Sequence, residues 1–332
     1  MADITVSLDA DGTLNLGPRR IPVPAHLSPE ARQYLAMPRM GLPAHPPLAD
    51  KAAWRQYIAE RNAAMHPYTE RMLTQAGDRA TVTTETLSGV VVHIARPRVM
   101  PEHHRGRLHV SVHGGGLVYL AGDYARAEAA VNAAQFQCET WSVDYRVPPD
   151  HPYPAAVDDV IAAWRHALAA GFAPGRAFFS GSSAGGCLAP AALLKARDQG
   201  LPLPGAVVLL TPECDLTESG DSFHTLREVD NVLPRPLPAE IALYANGADL
   251  RHPYLSPLFG DFGAGFPPTL IQSGTRDLFL SNSVRMHRAL RRAGVPAQLH
   301  VWEAAPHGGF PGAPEAGEVR EEILHFLQHH LR

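Results

Sequence analysis

The chain of 332 residues contains only three cysteines, Cys138, Cys187 and Cys214. They are widely spaced and none belongs to a C-x-x-C pair, which excludes a disulfide-dense scaffold and a thioredoxin-like redox motif. The first residues, MADITV, include neither the basic segment nor the apolar segment of a secretory signal. These observations predict a reduced protein located in the cytoplasm.

Basic charge and long hydrophobic runs are also scarce. The 29 lysines and arginines are outnumbered by 33 aspartates and glutamates, which gives a formal net charge of −4. Without a basic excess or a basic run, we expect neither nucleic acid nor an anionic membrane surface as a partner. No apolar run approaches the ~18 residues that span a bilayer. The 18 histidines are dispersed, and their spacing predicts no metal site.

The composition is that of a globular protein with a sizeable core. Hydrophobic residues make up 45% of the chain and charged residues 19%, which suits one large domain with or without an accessory piece. From about residue 105, short β-rich runs alternate with segments of helical periodicity. This alternation predicts an α/β fold with a mainly parallel sheet and helices on both faces. The predicted strands are a hairpin at 81–84 and 90–95, then 108–112, 140–143, 177–180, 206–210, 269–273 and 298–302.

Two segments fall outside this alternation and suggest how the chain is divided. We expect residues 1–80 to form an N-terminal arm with cap helices, and residues 81–332 to form the main domain. Residues 212–260, rich in acids and prolines, interrupt the alternation. We interpret them as an insertion that forms the second half of a cap.

The N-terminal region contains signals for two helices. Residues 1–27 are predicted to be irregular, and Ser28 followed by proline and an acid is typical of a helix start. Three prolines in residues 41–47 are predicted to break that helix. In a second helix, at 49–64, apolar residues recur at helical spacing. They either pack in a core or form an apolar lid over a pocket, and the sequence leaves both open; these residues are Trp54, Tyr57, Ile58 and Met65.

The motif Gly181-Ser182-Ser183-Ala184-Gly185 joins a predicted strand to a predicted helix. Small residues on both sides of Ser183 let the strand and the helix approach each other without side-chain clashes. Such a turn lifts the serine hydroxyl clear of the sheet and points the first helical amides at the same place. In a chain with 28 glycines, a simple small-residue turn is the alternative interpretation. The strand before the motif and the helix after it favour a nucleophilic serine.

A second glycine-rich motif, His113-Gly114-Gly115-Gly116, directly follows the predicted strand 108–112. Consecutive glycines leave their backbone N–H groups unshielded, which suits the binding of an anionic oxygen. A flexible turn is the alternative. The position at a strand end, like that of Ser183, favours an oxyanion site.

A nucleophilic serine needs a base, and the base needs an acid to orient it. His307 lies in the loop after the last predicted strand, and Asp277 lies in the loop after the strand before it. The resulting chain order of serine, aspartate and histidine is the order that suits a nucleophilic serine in this architecture. Asp215, in the loop after strand 206–210, is the rival for the acid, and Asp277 is favoured.

Together with Asp144–Ala156 (DYRVPPDHPYPAA), these motifs resemble the hormone-sensitive-lipase-like family of α/β-hydrolases, the bacterial family IV carboxylesterases. The resemblance covers about residues 85–330 and rests on four motifs in the family order. It implies an ester hydrolase with a helical cap that acts on small-molecule esters with short to medium acyl chains, without a cofactor. Its catalytic residues would be Ser183, Asp277 and His307, and its oxyanion hole would be formed by Gly115, Gly116 and Ala184.

The chain departs from the family pattern around these motifs. Ser182 stands where aspartate or threonine is usual, Leu117 where an aromatic often follows HGGG, and Leu278-Phe279 where the family has Pro-Leu after the acid. These changes alter the pocket but remove no catalytic group. Hydrolysis of a lactone or an activated amide is therefore the alternative activity, and a non-catalytic small-molecule binder is the alternative from another class. A homodimer is compatible with the sequence.

Overall fold

The computed structural model describes residues 6–39, 43–263 and 265–331. Its centre is an eight-stranded sheet, accompanied by a small separate hairpin near the N-terminus. The strands are β1 (Val6–Leu8), β2 (Leu14–Leu16), β3 (Ala80–Leu87), β4 (Val90–Pro97), β5 (Leu108–Val112), β6 (Glu139–Asp144), β7 (Ala177–Ser182), β8 (Ala206–Leu210), β9 (Thr269–Gly274) and β10 (Ala297–Trp302).

The large sheet has the order β10-β9-β8-β7-β5-β6-β4-β3. Strands β5 to β10 pair in parallel, whereas β4 is antiparallel to both of its neighbours. The predicted opening hairpin is confirmed, because Leu87 pairs with Val90 across a two-residue turn. Both turn residues, Ser88 and Gly89, have positive φ angles of 51° and 84°, as a tight hairpin turn of this kind requires.

Helices occupy the connections between the strands. They are α1 (Pro29–Leu35), α2 (Lys51–Ala64), α3 (His66–Ala76), α4 (Asp123–Phe136), α5 (Ala155–Ala169), α6 (Gly185–Asp198), α7 (Ser222–Thr225), α8 (Pro238–Ala245), α9 (Leu280–Arg292) and α10 (Pro314–His330). Within the described residues, none of them has the length and apolar character needed to cross a membrane.

The core lies on both faces of the sheet. Along β7, Phe178 packs into a cluster with α10, while its neighbour Phe179 packs into the larger cluster with α5 and α6. Adjacent side chains of a strand point to opposite faces, so both faces of this strand are covered by helices. The predicted α/β fold with a mainly parallel, two-sided sheet is therefore confirmed.

The N-terminal region differs from the prediction in two places. Residues 1–27 were expected to be irregular, but β1 and β2 form a short antiparallel hairpin whose side chains are exposed. Its three-residue strands are too short to give a clear alternating pattern. Helix α3 was not predicted, and only Thr69 and Ala76 of its residues are buried. The predicted break at 41–47 lies partly outside the described residues.

Three apolar residues of α2 are buried. Trp54, Tyr57 and Ile58 form one cluster with Val118, which follows the HGGG motif, and with Leu243 of α8. Of the two interpretations left open, core packing describes these three side chains. Met65 is not among them and forms the C-terminal cap of the helix. This core joins α2 to the insertion at 212–260. The division into an arm, a cap and a main domain stays a prediction.

Candidate active site

Ser183 lies at the sharp turn between β7 and α6, with a positive φ of 54°. The turn is so tight that a Cβ atom on Gly181 would lie 2.1 Å from the carbonyl oxygen of Gly185. A Cβ atom on Gly185 would lie 1.9 Å from the carbonyl oxygen of Val112 on β5. Both glycines are thus required by close backbone approach, which is the physical reason for the G-x-S-x-G pattern.

Three of the predicted site residues form a continuous hydrogen-bonded chain. The Ser183 hydroxyl lies 2.8 Å from His307 Nε2, and His307 Nδ1 lies 3.0 Å from Asp277 Oδ1. With the ring proton on Nδ1 donated to Asp277, Nε2 is left to accept the hydroxyl proton of Ser183. The three residues lie in the loops after β7, β9 and β10. Parallel strands end at the same edge of the sheet, and this brings the three loops together.

Asp277 is itself held in place by hydrogen bonds. The Ser273 hydroxyl donates to Asp277 Oδ2 at 2.6 Å, and the Phe279 amide donates to Oδ1 at 3.0 Å. The side chain is completely buried. A buried carboxylate held in this way can orient an imidazole and stabilise its cation.

The electrostatic surroundings of His307 favour its protonated form. Burial of the ring opposes the positive charge, but the hydrogen bond and charge of Asp277 and the charge of Asp230 outweigh it. The pKa of His307 is therefore raised above its usual value of 6.5. An imidazole with such a pKa can take a proton from a hydroxyl and return it to a leaving group near neutral pH.

The HGGG loop presents free backbone amides beside Ser183. Gly115 and Gly116 have φ angles of 114° and 53°, and a Cβ atom on Gly115 would lie 2.3 Å from the carbonyl oxygen of Tyr119. Among the described residues, none accepts a hydrogen bond from the N–H groups of Gly115, Gly116 or Ala184. Amides without a partner suit the binding of an oxyanion, and the oxyanion role of these three residues stays a prediction.

The buried side chain of His113 holds the HGGG loop in place. Burial lowers the pKa of His113 to about 4, so its ring is neutral, and its Nδ1 lies 2.7 Å from the carbonyl oxygen of Gly114. Tyr145 stacks on this ring at 4.0 Å, and its hydroxyl donates to the His113 carbonyl at 3.0 Å. Through these contacts Tyr145 helps to hold the HGGG loop in place.

Asp215, the rival for the catalytic acid, is also buried but is bonded elsewhere. It accepts hydrogen bonds from Thr217, from Ser219 at 2.8 Å and from Arg285 at 2.6 Å. Since these donors occupy both carboxylate oxygens and none belongs to the His307 loop, the geometry favours Asp277 as the acid.

Two buried carboxylates of the insertion, which were not predicted, bond to the loops that carry the site or flank it. Asp230 accepts a hydrogen bond from the backbone amide of His307 at 3.0 Å. Glu240 on α8 lies 3.0 Å from the Tyr119 hydroxyl and 2.8 Å from His45 Nε2, so it joins the arm to the loop that follows HGGG. Neither residue belongs to a motif, and no signal in the sequence alone singles it out. Within the described part of the chain, no group of three histidines, cysteines or acids could hold a metal ion.

Comparisons with known proteins agree with this architecture. The family model described as an alpha/beta hydrolase fold matches residues 109–311. An acetyl-hydrolase of Streptomyces hygroscopicus is 36% identical over 247 residues, which cover 72% of this chain and 81% of that protein. The crystal structure of the esterase E25 superposes with a TM-score of 0.88 at 34% identity, covering 96% of this chain and 99% of the other.

A further solved structure carries the family name. It is an esterase from the bacterial hormone-sensitive lipase family, with a TM-score of 0.76, 29% identity, and coverage of 92% of this chain and 99% of the other. The chain belongs to the hormone-sensitive-lipase-like carboxylesterases of the α/β-hydrolase superfamily, and it is a carboxylic ester hydrolase.

Proposed function

We propose that the protein is a serine carboxylesterase that cleaves short to medium acyl esters, with Ser183, His307 and Asp277 as its catalytic triad. The observation that supports this most directly is the hydrogen-bonded chain from the Ser183 hydroxyl to His307 at 2.8 Å and on to Asp277 at 3.0 Å. A hydroxyl paired with a base, and a base paired with a buried acid, is the arrangement that activates serine for acyl transfer.

In the first half of the reaction, His307 Nε2 accepts the hydroxyl proton while Ser183 Oγ bonds to the ester carbonyl carbon. The negative charge that develops on the carbonyl oxygen is stabilised by the amides of Gly115, Gly116 and Ala184. His307 then gives its proton to the departing alkoxide. The products of this half are a free alcohol and an ester between the acyl group and Ser183.

In the second half, water repeats the sequence in the place of Ser183. His307 takes a proton from water, the resulting hydroxide attacks the acyl carbon, and the same amides stabilise the oxyanion. The proton then returns to Ser183 Oγ as the acid product leaves. Asp277 keeps the imidazole in the correct tautomer through both halves and stabilises its cation.

The preference for short to medium acyl chains rests on the cap. The cluster of Trp54, Tyr57 and Ile58 with Val118 is packed directly after the HGGG loop, so these side chains occupy volume next to the proposed oxyanion hole. An acetyl-hydrolase among the relatives points in the same direction. Because these side chains fill part of the space beside the proposed oxyanion hole, the space left for substrate suits a short acyl chain better than a long one.

A series of p-nitrophenyl esters from acetate to palmitate, hydrolysed by the wild type and by Ser183→Ala, tests the proposal. We expect turnover of the shorter esters by the wild type and almost none by the variant. Absence of turnover throughout the series would contradict the proposed function, and hydrolysis of lactones or activated amides in preference to all esters would revise the substrate class.

A further inference from the structure

We infer that Asp230 is a positioning residue of the triad, which holds the loops of Asp277 and His307 in register and places a negative charge next to the imidazole. The inference rests on the proposed function, because it presupposes that Asp277 and His307 act as acid and base. Asp230 lies in the 212–260 insertion, outside every motif that pointed to catalysis.

One oxygen of Asp230 joins the two catalytic loops. Asp230 Oδ2 accepts a hydrogen bond from the amide of Leu278 at 3.0 Å and another from the amide of His307 at 3.0 Å. Leu278 directly follows Asp277 in the chain. The same oxygen atom therefore fixes the backbone at the acid and at the base, which come from different strands.

The other oxygen fixes Asp230 to its own loop. Asp230 Oδ1 accepts hydrogen bonds from the amides of Val232 at 2.9 Å and Leu233 at 3.0 Å. The side chain is completely buried, so water cannot replace these bonds. Four backbone amides from three loops thus depend on one carboxylate.

By holding both loops, Asp230 fixes the distance between Asp277 and His307. The hydrogen bond between Asp277 and His307 requires that their two loops keep a fixed separation, and a misplacement of about 1 Å in a catalytic group costs on the order of 100-fold in rate. Without the carboxylate, the amides of Leu278 and His307 would be buried and unpaired, which the loops could relieve only by moving apart or admitting water.

The charge of Asp230 also acts on the base. The titratable groups around Asp230 are His307 and Asp277 in the two catalytic loops and Tyr34 on α1. Burial raises the pKa of Asp230, the charge of His307 lowers it, and that of Asp277 raises it, so the net shift is upward. In its ionised form, Asp230 adds to the charge of Asp277 in raising the pKa of His307. Removing this charge lowers the pKa of His307.

The test compares Asp230→Asn with Asp215→Asn, a matched loss of one buried carboxylate from the same insertion. The rate at which an organophosphate labels Ser183 is measured across a pH series, together with kcat/KM for p-nitrophenyl acetate. For Asp230→Asn we expect both rates to fall roughly 10- to 100-fold, since a hydrogen bond to a charged group is lost. We also expect the midpoint of the acid limb, the pH at which both rates fall to half, to move to lower pH. Asp215→Asn should keep the wild-type midpoint, with rates within about threefold.

A purely structural role would reduce stability without moving the midpoint. Circular dichroism therefore measures the folded fraction, and rates are compared for folded protein only. An Asp230→Asn variant with the wild-type midpoint and rates within about threefold of wild type would overturn the inference. If this variant does not fold, Asp230→Glu replaces it; its charge should keep the midpoint near wild type while the rate falls, and an unchanged rate would exclude positioning.

Failure of the proposed function would look different. In that case the organophosphate would not label Ser183 in the wild type at any pH, whatever residue stands at position 230. Labelling of the wild type together with an unaffected Asp230→Asn variant would contradict only the inference about Asp230.

Discussion

Ser28 and Glu315 are joined by two hydrogen bonds, although 287 residues separate them in the chain. The Ser28 amide donates to Glu315 Oε1 at 2.9 Å, and the Ser28 hydroxyl donates to Oε2 at 2.8 Å. The same hydroxyl oxygen accepts the Ala31 amide at 3.1 Å and so caps α1. The N-terminal arm is thereby tied to the first turn of α10.

This tie places the arm against the loop of the proposed base. Leu27 and Ala31 pack with Ala304, Ala305 and other residues that flank His307. The arm therefore supports the loop of His307, in addition to any part it has in a cap.

We expect Ser28→Ala to lower the free energy of unfolding by about 1 kcal/mol or somewhat more, because it removes an N-cap and the partner of Glu315. Denaturant unfolding followed by circular dichroism measures this loss. Ser7→Ala on the exposed strand β1 is the control and should change stability by less than about 0.5 kcal/mol. Equal effects of the two substitutions would show that the tie to α10 adds nothing.

Ser183→Ala is expected to fold normally and to lose esterase activity by on the order of 10⁴-fold or more, because the nucleophile is gone. Mass spectrometry of the organophosphate-treated wild type should find the label on Ser183 and not on Ser182. Ser182→Ala, the neighbouring control, should still be labelled. Label on Ser182, or an active Ser183→Ala variant, would contradict the assignment.

Asp277→Asn should reduce kcat by roughly 10⁴-fold, since a neutral amide favours the wrong imidazole tautomer. Asp215→Asn removes a carboxylate of the same burial that is bonded to Arg285 and its own loop, and it should cost far less. Steady-state kinetics on the two purified variants decide between them. The reverse ranking would mean that the acid has been assigned to the wrong loop.

The pH dependence of kcat/KM should report the raised pKa of His307. The base must be neutral to accept the Ser183 proton, so activity is present above that pKa and is lost as the pH falls through it. Since the pKa is raised from 6.5, the midpoint of the acid limb should lie above 6.5. A profile of initial rates with p-nitrophenyl acetate measures it, and a midpoint below 6.5 would contradict this picture. Chelation by EDTA should leave the rates unchanged.

Across an ester series, kcat/KM should peak at an acyl chain of roughly two to eight carbons, as expected for a pocket of limited volume. The rise towards the peak should not exceed about fourfold per carbon, because one buried methylene contributes about 0.8 kcal/mol. Deleting residues 1–48 should flatten this profile if the arm lines the pocket. The profile is compared relative to the acetate ester, since the arm also supports the His307 loop.

Much of this protein follows from its sequence because the signals are local. Alternating strands and helices predicted the two-sided parallel sheet, and the motifs around Ser183 and Gly115 predicted which loops meet at its edge. Parallel strands bring their carboxyl ends together whatever the details of packing. Asp277 and His307 therefore lie within hydrogen-bonding distance in the order expected, while their catalytic roles stay predictions.

The tertiary structure decided what depends on distant partners. Asp230 and Glu240 resemble any other acids of a polar insertion, and Ser28 resembles any helix cap, until folding brings a buried amide, a tyrosine or a glutamate against them. A buried carboxylate is stabilised only by the donors that surround it. The donors that link these acids to the site, the amides of Leu278 and His307 and the hydroxyl of Tyr119, lie far away in the chain. The sequence around each acid therefore carries no record of them.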